Sequence, residues 1–515
     1  MKLKTFFLLC IFVLSRITFI NSLPVFFDSP EYLERFAYSN YFQAIASGHI
    51  PFHAGYIILF WPVFHIAEFL NINPSFAVIF AQIIFSAISL YCFYRLVEIL
   101  TSKKIAIIAT IISSLMPLYW ITNVSIMAES TYVYFFLISL YLTASYVKNK
   151  TRSNFRILIG CLLFGLALLT NPLVILWTPL FLSIVYFLNK QKIAVIILSM
   201  FLTITLVILT NGLFVSYALH ESIQNGIYQY LFREDIKLIP NVSSSITILR
   251  FIRNVLISVL QNNASLIFIL GTISLIRIFR KNINLFIITF LWIFPLIITS
   301  QWFDPLLFGR HGIIAGFGFS LLVAILLKKR GMLILMVIGY LLFVSMSALS
   351  LLTQPIPYLE MGKFVKTLPK GLLIESHFAR PQVEGQYSDE IIFINQPGWN
   401  HEKLEKMIDT YLQNKKPIFI TSQALSDPYG IYSGPFLFPL SLSYAKNYEL
   451  KDLISSYSIK KYAVIDEDAG IQIYKILSKE KSLYPEIPIL KYNRHRIDYF
   501  DPLSQLFFYP TPFKN

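Results

Sequence analysis

Apolar runs long enough to cross a bilayer recur along this chain as far as residue 352, with short basic segments between them. A span takes about 17–25 mostly apolar residues, because the hydrocarbon core is about 30 Å thick and a helix rises about 1.5 Å per residue. No water reaches backbone amides at that depth, so each run must close its hydrogen bonds within a helix. The chain is 56% hydrophobic and 14% charged, against about 25% charged in soluble domains. It is therefore an integral membrane protein. The net charge of +15 belongs to the loops, where Lys and Arg act as topology signals, and no nucleic-acid partner is expected.

The basic segments are Lys103-Lys104, "KNKTRSNFR" (148–156), "NKQK" (189–192), "RIFRKN" (277–282) and "KKR" (328–330). The positive-inside rule puts all five in the cytoplasm. That requires "GYIILFWPVFHIAEFL" (55–70), with Pro62, His65 and Glu68, not to span. Residues 31–70 are then juxtamembrane amphipathic helices and a membrane-dipping segment on the outer face. The pattern predicts about eleven transmembrane helices, near 4–21, 76–99, 105–121, 130–147, 157–170, 173–189, 193–216, 256–277, 285–300, 313–327 and 332–352. The outer loops are 22–75, 122–129, a tight turn at Asn171-Pro172, 217–255 and 301–312.

After residue 352 the composition turns polar. "GLLIES", "EIIFIN", "KPIFITS" and "KKYAVIDED" have the length and β-branched content of strands. "EKLEKMIDTYLQNKK" places Leu404, Met407, Ile408, Tyr411 and Leu412 on one helical face. The expected fold is a polytopic all-α membrane bundle over 1–352 and a soluble, extracytoplasmic α/β domain over 353–515. Cys10, Cys92 and Cys161 each fall in apolar runs and read as small buried hydrophobes. The N-terminal "MKLKTFFLLCIFVLSRITFINS" lacks a small-x-small cleavage site and reads as an uncleaved first span. Arg16, near its outer end, is expected to snorkel to the interface or to meet an anionic lipid head group.

In this topology the outer face gathers Asp28 with Glu31, His53, Glu129 at the head of the fourth span, and Arg310-His311 before the tenth. Each has a structural reading. Ser29-Pro30-Glu31 resembles a helix N-terminus, Glu129 gains from a helix dipole, and His53 and Arg310 can anchor an interface. An ionisable residue facing a bundle interior is nonetheless a functional candidate.

The same stretches resemble the GT-C glycosyltransferases, polytopic enzymes that use polyprenyl-phosphate sugars. An acid just after the first span and "GHIPFH" (48–53) are similar to the family's first outer loop. "SSLMPLYWITNVSIMAESTYVYFFLISLYL" (113–142) is similar to its second, where a helix ends in Pro and an acid opens the next span. "GLALLTNPLVILWTPLFL" (165–182) and "FGRHGIIAGFGFSLLVAIL" (308–326) match later segments. Protein mannosyltransferase-like and aminoarabinose transferase-like members are the nearest in pattern. The departures are Asp28-Ser29-Pro30-Glu31 for a paired Asp-Glu, His53-Ala54-Gly55-Tyr56 for His-Pro-Pro-Leu, and Arg310-His311 for Arg-Tyr.

The resemblance implies transfer of a sugar from a polyprenyl-phosphate donor to a glycan, lipid or protein acceptor at the outer face of a cell inner (plasma) membrane, with an endoplasmic reticulum also compatible. Asp28 matches the family's catalytic Asp and is the expected general base. Glu129 is the expected supporting carboxylate, with Glu31 behind it. Arg310 matches the late motif and suits the leaving phosphate, for which a guanidinium fork is better shaped than a Lys point charge. His53, His311, Arg233 and His220 are weaker substrate or phosphate contacts. A divalent cation held by Asp28, Glu129 and His53 stays open, with no spacing motif behind it. The alternatives are a lipid-linked oligosaccharide polymerase or ligase, and a lipid-linked sugar flippase, which would show repeats or polar breaks at mid-membrane.

Overall fold

The computed structural model describes residues 3–20, 28–48, 52–148, 154–232, 264–302, 312–350, 357–376, 385–394, 401–425, 453–467 and 471–480, with isolated positions between. It divides into two compact units, one containing Glu31–Leu352 and the other Thr353–Asp498. Asp28 to Pro30 group with the second unit.

Among the described residues the regular structure of the first unit is helical. In chain order its helices are α1 (Leu3–Ile17), α2 (Asp28–Ala37), α3 (Tyr41–Ala46), α4 (Ala54–Phe69), α5 (Pro74–Leu100), α6 (Lys103–Ser114), α7 (Pro117–Asn123) and α8 (Glu129–Lys148). They continue with α9 (Asn154–Thr170), α10 (Thr178–Asn189), α11 (Ile193–Leu219), α12 (Ile223–Phe232), α13 (Ser265–Phe279), α14 (Ile283–Trp302), α15 (Ile313–Leu327) and α16 (Gly331–Ser350). Local chemistry sets several starts. Asn73 caps α5 by accepting from the Phe76 amide, and Pro74 occupies the first turn, where its missing N–H costs nothing. At the expected turn after Thr170, Asn171 accepts from the Leu173 amide and Pro172 begins a 3-10 turn.

By length and composition, three described segments suffice to cross a membrane: Pro74–Leu100, Glu129–Lys148 and the stretch Pro172–Leu219. A fourth follows if α6 and α7, bent by 65° at their junction, count as one. Others, including Ala54–Phe69, Phe155–Thr170 and Ile313–Leu327, are apolar but shorter. Among the described residues, helices long and apolar enough to cross therefore number three or four, against the expectation of about eleven.

One break corrects the sequence reading directly. Residues 105–121 were expected as a single span, yet the helix stops at Ser114 and restarts at Pro117. Proline has no N–H to give and disfavours helix in the residue before it. The freed carbonyls are taken up by side chains: Arg16 donates to the Ser114 carbonyl, and Ser345 Oγ to that of Leu115 at 2.6 Å. Arg16 is consequently not an interfacial residue. It is 1% exposed, and its guanidinium lies 4.0 Å from the ring centres of both Phe12 and Trp120. A cation at the C-terminal end of a helix is favoured by the helix dipole, so its part is to stabilise the break.

The second unit carries a five-stranded sheet in the order β2-β1-β3-β5-β4. The strands are β1 (Leu372–Ser376), β2 (Glu390–Ile394), β3 (Ile418–Thr421), β4 (Ser458–Asp466) and β5 (Ile471–Ser478). β1 pairs in parallel with β2 and β3, and the β3–β5 and β5–β4 pairs are antiparallel. The helices here are α17 (Pro357–Val365), α18 (His401–Gln413) and α19 (Ser422–Leu425). The apolar face read from the sequence of α18 packs as expected: Leu404 and Ile408 are buried against Ile374, Ile418 and Ile420, with Met407, Tyr411 and Leu412 at the edge. On the opposite face Met361 and Val365 of α17 meet Leu373 and Phe419.

Candidate functional site

Two short elements lead into the site. Glu31 and Arg35 stand four apart on α2, the spacing at which helical side chains meet, with Glu31 Oε1 3.5 Å from Arg35 Nη1. Arg35 is 1% exposed. It gives Nε to the Ala44 carbonyl at 3.0 Å and Nη2 to that of Ile45 at 2.8 Å. Nη2 also donates to the Phe52 carbonyl. One guanidinium thus ties α2 to both ends of the 44–52 stretch, and Glu31 lies beside it as counter-ion. Gly48 makes this possible, since a Cβ there would overlap the Arg35 guanidinium.

Phe52 and His53 follow, both left-handed, at φ 61° and φ 45°. This region is costly for residues with a Cβ and is kept only where the surroundings enforce it. The enforcement is visible: Arg35 holds the Phe52 carbonyl, and His53 Nδ1 lies 2.7 Å from the Thr170 carbonyl. A carbonyl only accepts, so Nδ1 carries a proton. His53 therefore has a fixed ring, and Nε2 is the nitrogen whose protonation is set by its surroundings. Tyr32 of α2 meets the His53 ring edge-on at 5.9 Å.

Gly55 lets α4 approach α9, because a Cβ would strike Thr170 Oγ1 and the Leu166 carbonyl. A backbone oxygen cannot step aside. Gly55→Ala is expected to lower stability by about 1–3 kcal/mol, read as a drop in thermal midpoint of the detergent-solubilised protein. An unchanged midpoint would show that α4 and α9 can separate freely.

Glu129 opens α8 and is 3% exposed. It follows a short non-helical connection, 124–128, whose residues are all buried. The Tyr56 hydroxyl lies within the field of its carboxylate. The N-terminal turn of α8 supplies partial positive charge from unpaired amides, which favours a carboxylate there.

The remaining candidates divide as follows. Asp28 is the first residue of α2; its side chain, and Arg233, Arg310 and His311, lie outside the described residues. His220 is exposed and left-handed at the C-terminal cap of α11, φ 54°. Among the described residues no three His, Cys, Asp or Glu side chains come together to hold a metal ion. Cys92 is buried and Cys10 and Cys161 partly so, all three as free thiols. Sequence reasoning overlooked Arg35, Tyr56, Gln82 and Thr170. Arg35 had a signal in its spacing from Glu31, and Gln82 in being a lone amide within an apolar run; Thr170 contributes only its backbone.

The sequence profile of the dolichyl-phosphate-mannose-protein mannosyltransferase family matches residues 58–214. That segment runs from within α4 into α11, includes Glu129 and stops short of Asp28 and His53. No curated protein matches the chain in sequence. Among solved structures, the chain is similar to the oligosaccharyltransferase of Archaeoglobus fulgidus. With its complex with Zn and sulfate the TM-score is 0.52 at 11% identity, covering 88% of this chain and 72% of that one. With its apo form the values are 0.50, 11%, 84% and 71%. With that protein, AglB, in complex with an inhibitory peptide and a dolichol-phosphate, they are 0.50, 10%, 96% and 78%. The class defined is a helical membrane protein with a small C-terminal sheet domain and the GT-C fold. The chain thus shares the fold of these GT-C proteins, and over residues 58–214 it is similar in sequence to a GT-C mannosyltransferase family.

Proposed function

We propose that this protein transfers a sugar from a polyprenyl-phosphate donor to an acceptor at the extracytoplasmic face of the plasma membrane, with residues 1–352 as the catalytic domain. The observation that carries the reading is Glu129, a buried carboxylate at the head of α8, inside the segment matched by the mannosyltransferase profile. In the proposed reaction Asp28 takes the proton of an acceptor hydroxyl, and the freed oxygen attacks the anomeric carbon. The bond from that carbon to the phosphate oxygen breaks, and prenyl phosphate leaves with the electron pair. Glu129 stabilises the oxocarbenium-like transition state or holds the acceptor. Arg310 receives the leaving phosphate, with His53, His311, Arg233 and His220 as further contacts, and Glu31 serves chiefly through Arg35. No step is routed through a metal.

The groove between α9 and α11 supports a lipid donor. It is open and apolar, about 590 Å³ in volume, with Leu162, Gly165, Leu166, Leu202 and Leu206 in its wall. Its wall reaches Leu169, next to the residue whose carbonyl holds His53. An isoprenoid chain suits such a surface, since within a bilayer association rests on van der Waals packing, which the apolar wall offers along its length.

The test is a mass-spectrometric profile of prenyl-linked species in native cells with and without the gene. Accumulation of a prenyl-phosphate sugar on deletion is expected, and its mass names the donor. A prenyl species bearing a whole glycan would favour the polymerase or ligase reading instead. No change in any prenyl-linked species would refute the transferase.

A further inference from the structure

The proposed chemistry uses Glu129 but not the buried polar groups behind it. Gln82 lies on α5, fully buried on the same face as the buried Ser86 one turn further on. Its Nε2 donates to the Ser125 carbonyl at 2.8 Å, and its Oε1 accepts from the Tyr56 hydroxyl at 2.9 Å. Tyr56 is also fully buried, and its hydroxyl meets the Met127 backbone and lies within electrostatic reach of the Glu129 carboxylate. The connection from α7 to α8 is therefore gripped in its middle. A second grip closes its start: Ser86 Oγ donates to Asn123 Oδ1 at 2.8 Å, and Asn123 Nδ2 to the Tyr119 carbonyl at 2.6 Å.

The chemistry at Gln82 is selective. One side chain must donate to a carbonyl and accept from a phenol at the same time, which a carboxamide does and neither a carboxylate nor an aliphatic group can. A polar side chain is expensive at this depth and is kept where it serves a site. Tyr56 extends the connection outward, since its ring packs against Tyr32 of α2 at 4.8 Å and against Phe36 at 5.5 Å. α2 is the helix that Asp28 opens.

We propose that Gln82, acting with Tyr56, is a positioning residue that holds the 124–128 connection so that Glu129 is presented to the reacting sugar. The inference rests on the transferase reading above, so its test includes a measurement that needs no turnover. Dicyclohexylcarbodiimide modifies buried protonated carboxyls, and mass spectrometry of the Glu129 peptide gives the extent of labelling against pH in detergent-solubilised protein.

Gln82→Leu replaces an amide by an apolar group, which disfavours the charged carboxylate, so the labelling midpoint is expected to move to higher pH. Consumption of the native donor lipid by membrane vesicles is expected to fall about 100-fold in kcat with KM little changed, as for a misplaced catalytic group. Tyr56→Phe, which keeps the ring and removes only the hydroxyl, is expected to give a smaller change in the same directions, and it serves if Gln82→Leu does not fold. If both variants keep the wild-type midpoint and kcat and lose only thermal stability, the amide merely holds the fold and the proposal is overturned. It is equally overturned if the midpoint moves and kcat holds while Glu129→Gln abolishes turnover. If Glu129→Gln itself leaves turnover intact, the role of Glu129 in the transferase reading fails, and a shifted midpoint still supports Gln82 as the group that places Glu129.

Discussion

Asp28→Asn is expected to reduce sugar transfer by about 10²–10⁴-fold, the range supplied by a positioned general base, while the protein accumulates to its normal level. The amide keeps the shape of the carboxylate and can begin a helix equally well, since Asn and Asp are comparable at an N-terminus. Any large loss then reports proton transfer and not folding. The measurement is donor consumption in membrane vesicles, together with the prenyl-lipid profile of cells carrying the variant. A prenyl-phosphate sugar should build up in the variant, as is expected on deletion. Normal turnover in Asp28→Asn would remove Asp28 as base and leave Glu129 as the principal carboxylate.

Arg35→Met is expected to be the most damaging single change to the first unit away from the carboxylates. It leaves the carbonyls of Ala44, Ile45 and Phe52 without their donor and Glu31 without its cation. Hydrogen bonds from a charged donor are each worth about 1.5–3 kcal/mol, while the Glu31 side chain, 29% exposed, can turn to water. The left-handed Phe52 and His53 lose one of their two restraints, so transfer should fall along with stability. Arg35→Lys is not expected to rescue, because one ammonium lacks the planar fork that reaches several carbonyls at once. Thermal unfolding in detergent and donor consumption at a temperature where both variants stay folded would separate the two effects. A midpoint unchanged in Arg35→Met would show that the 44–52 stretch holds itself.

The carboxylates that cluster just after the first span do not share one part. Glu31 lies beside Arg35, so one member of the cluster has a structural part. Asp28 and Glu129, the two carboxylates to which the proposed reaction gives chemistry, each stand at the head of a helix. The sequence did show both at those positions, because a helix start leaves a local signature: Ser-Pro-Glu after Asp28, and an apolar run after Glu129. It also showed the membrane class, the order of apolar helices, four of the five strands, and the buried face of α18. These are all local quantities, since hydrophobic periodicity and composition reflect what each segment buries whatever its partner.

Tertiary structure alone decided which partners the buried polar residues take. Arg16 looked interfacial from its place near a span end, yet it caps a helix break 98 residues away. His53 has its ring fixed by a backbone carbonyl 117 residues on, and Gln82 grips a carbonyl 43 residues on. Backbone carbonyls are identical in every residue and leave no mark in the sequence. A side chain that seeks one can be recognised as polar and buried, but its partner exists only once the helices have packed.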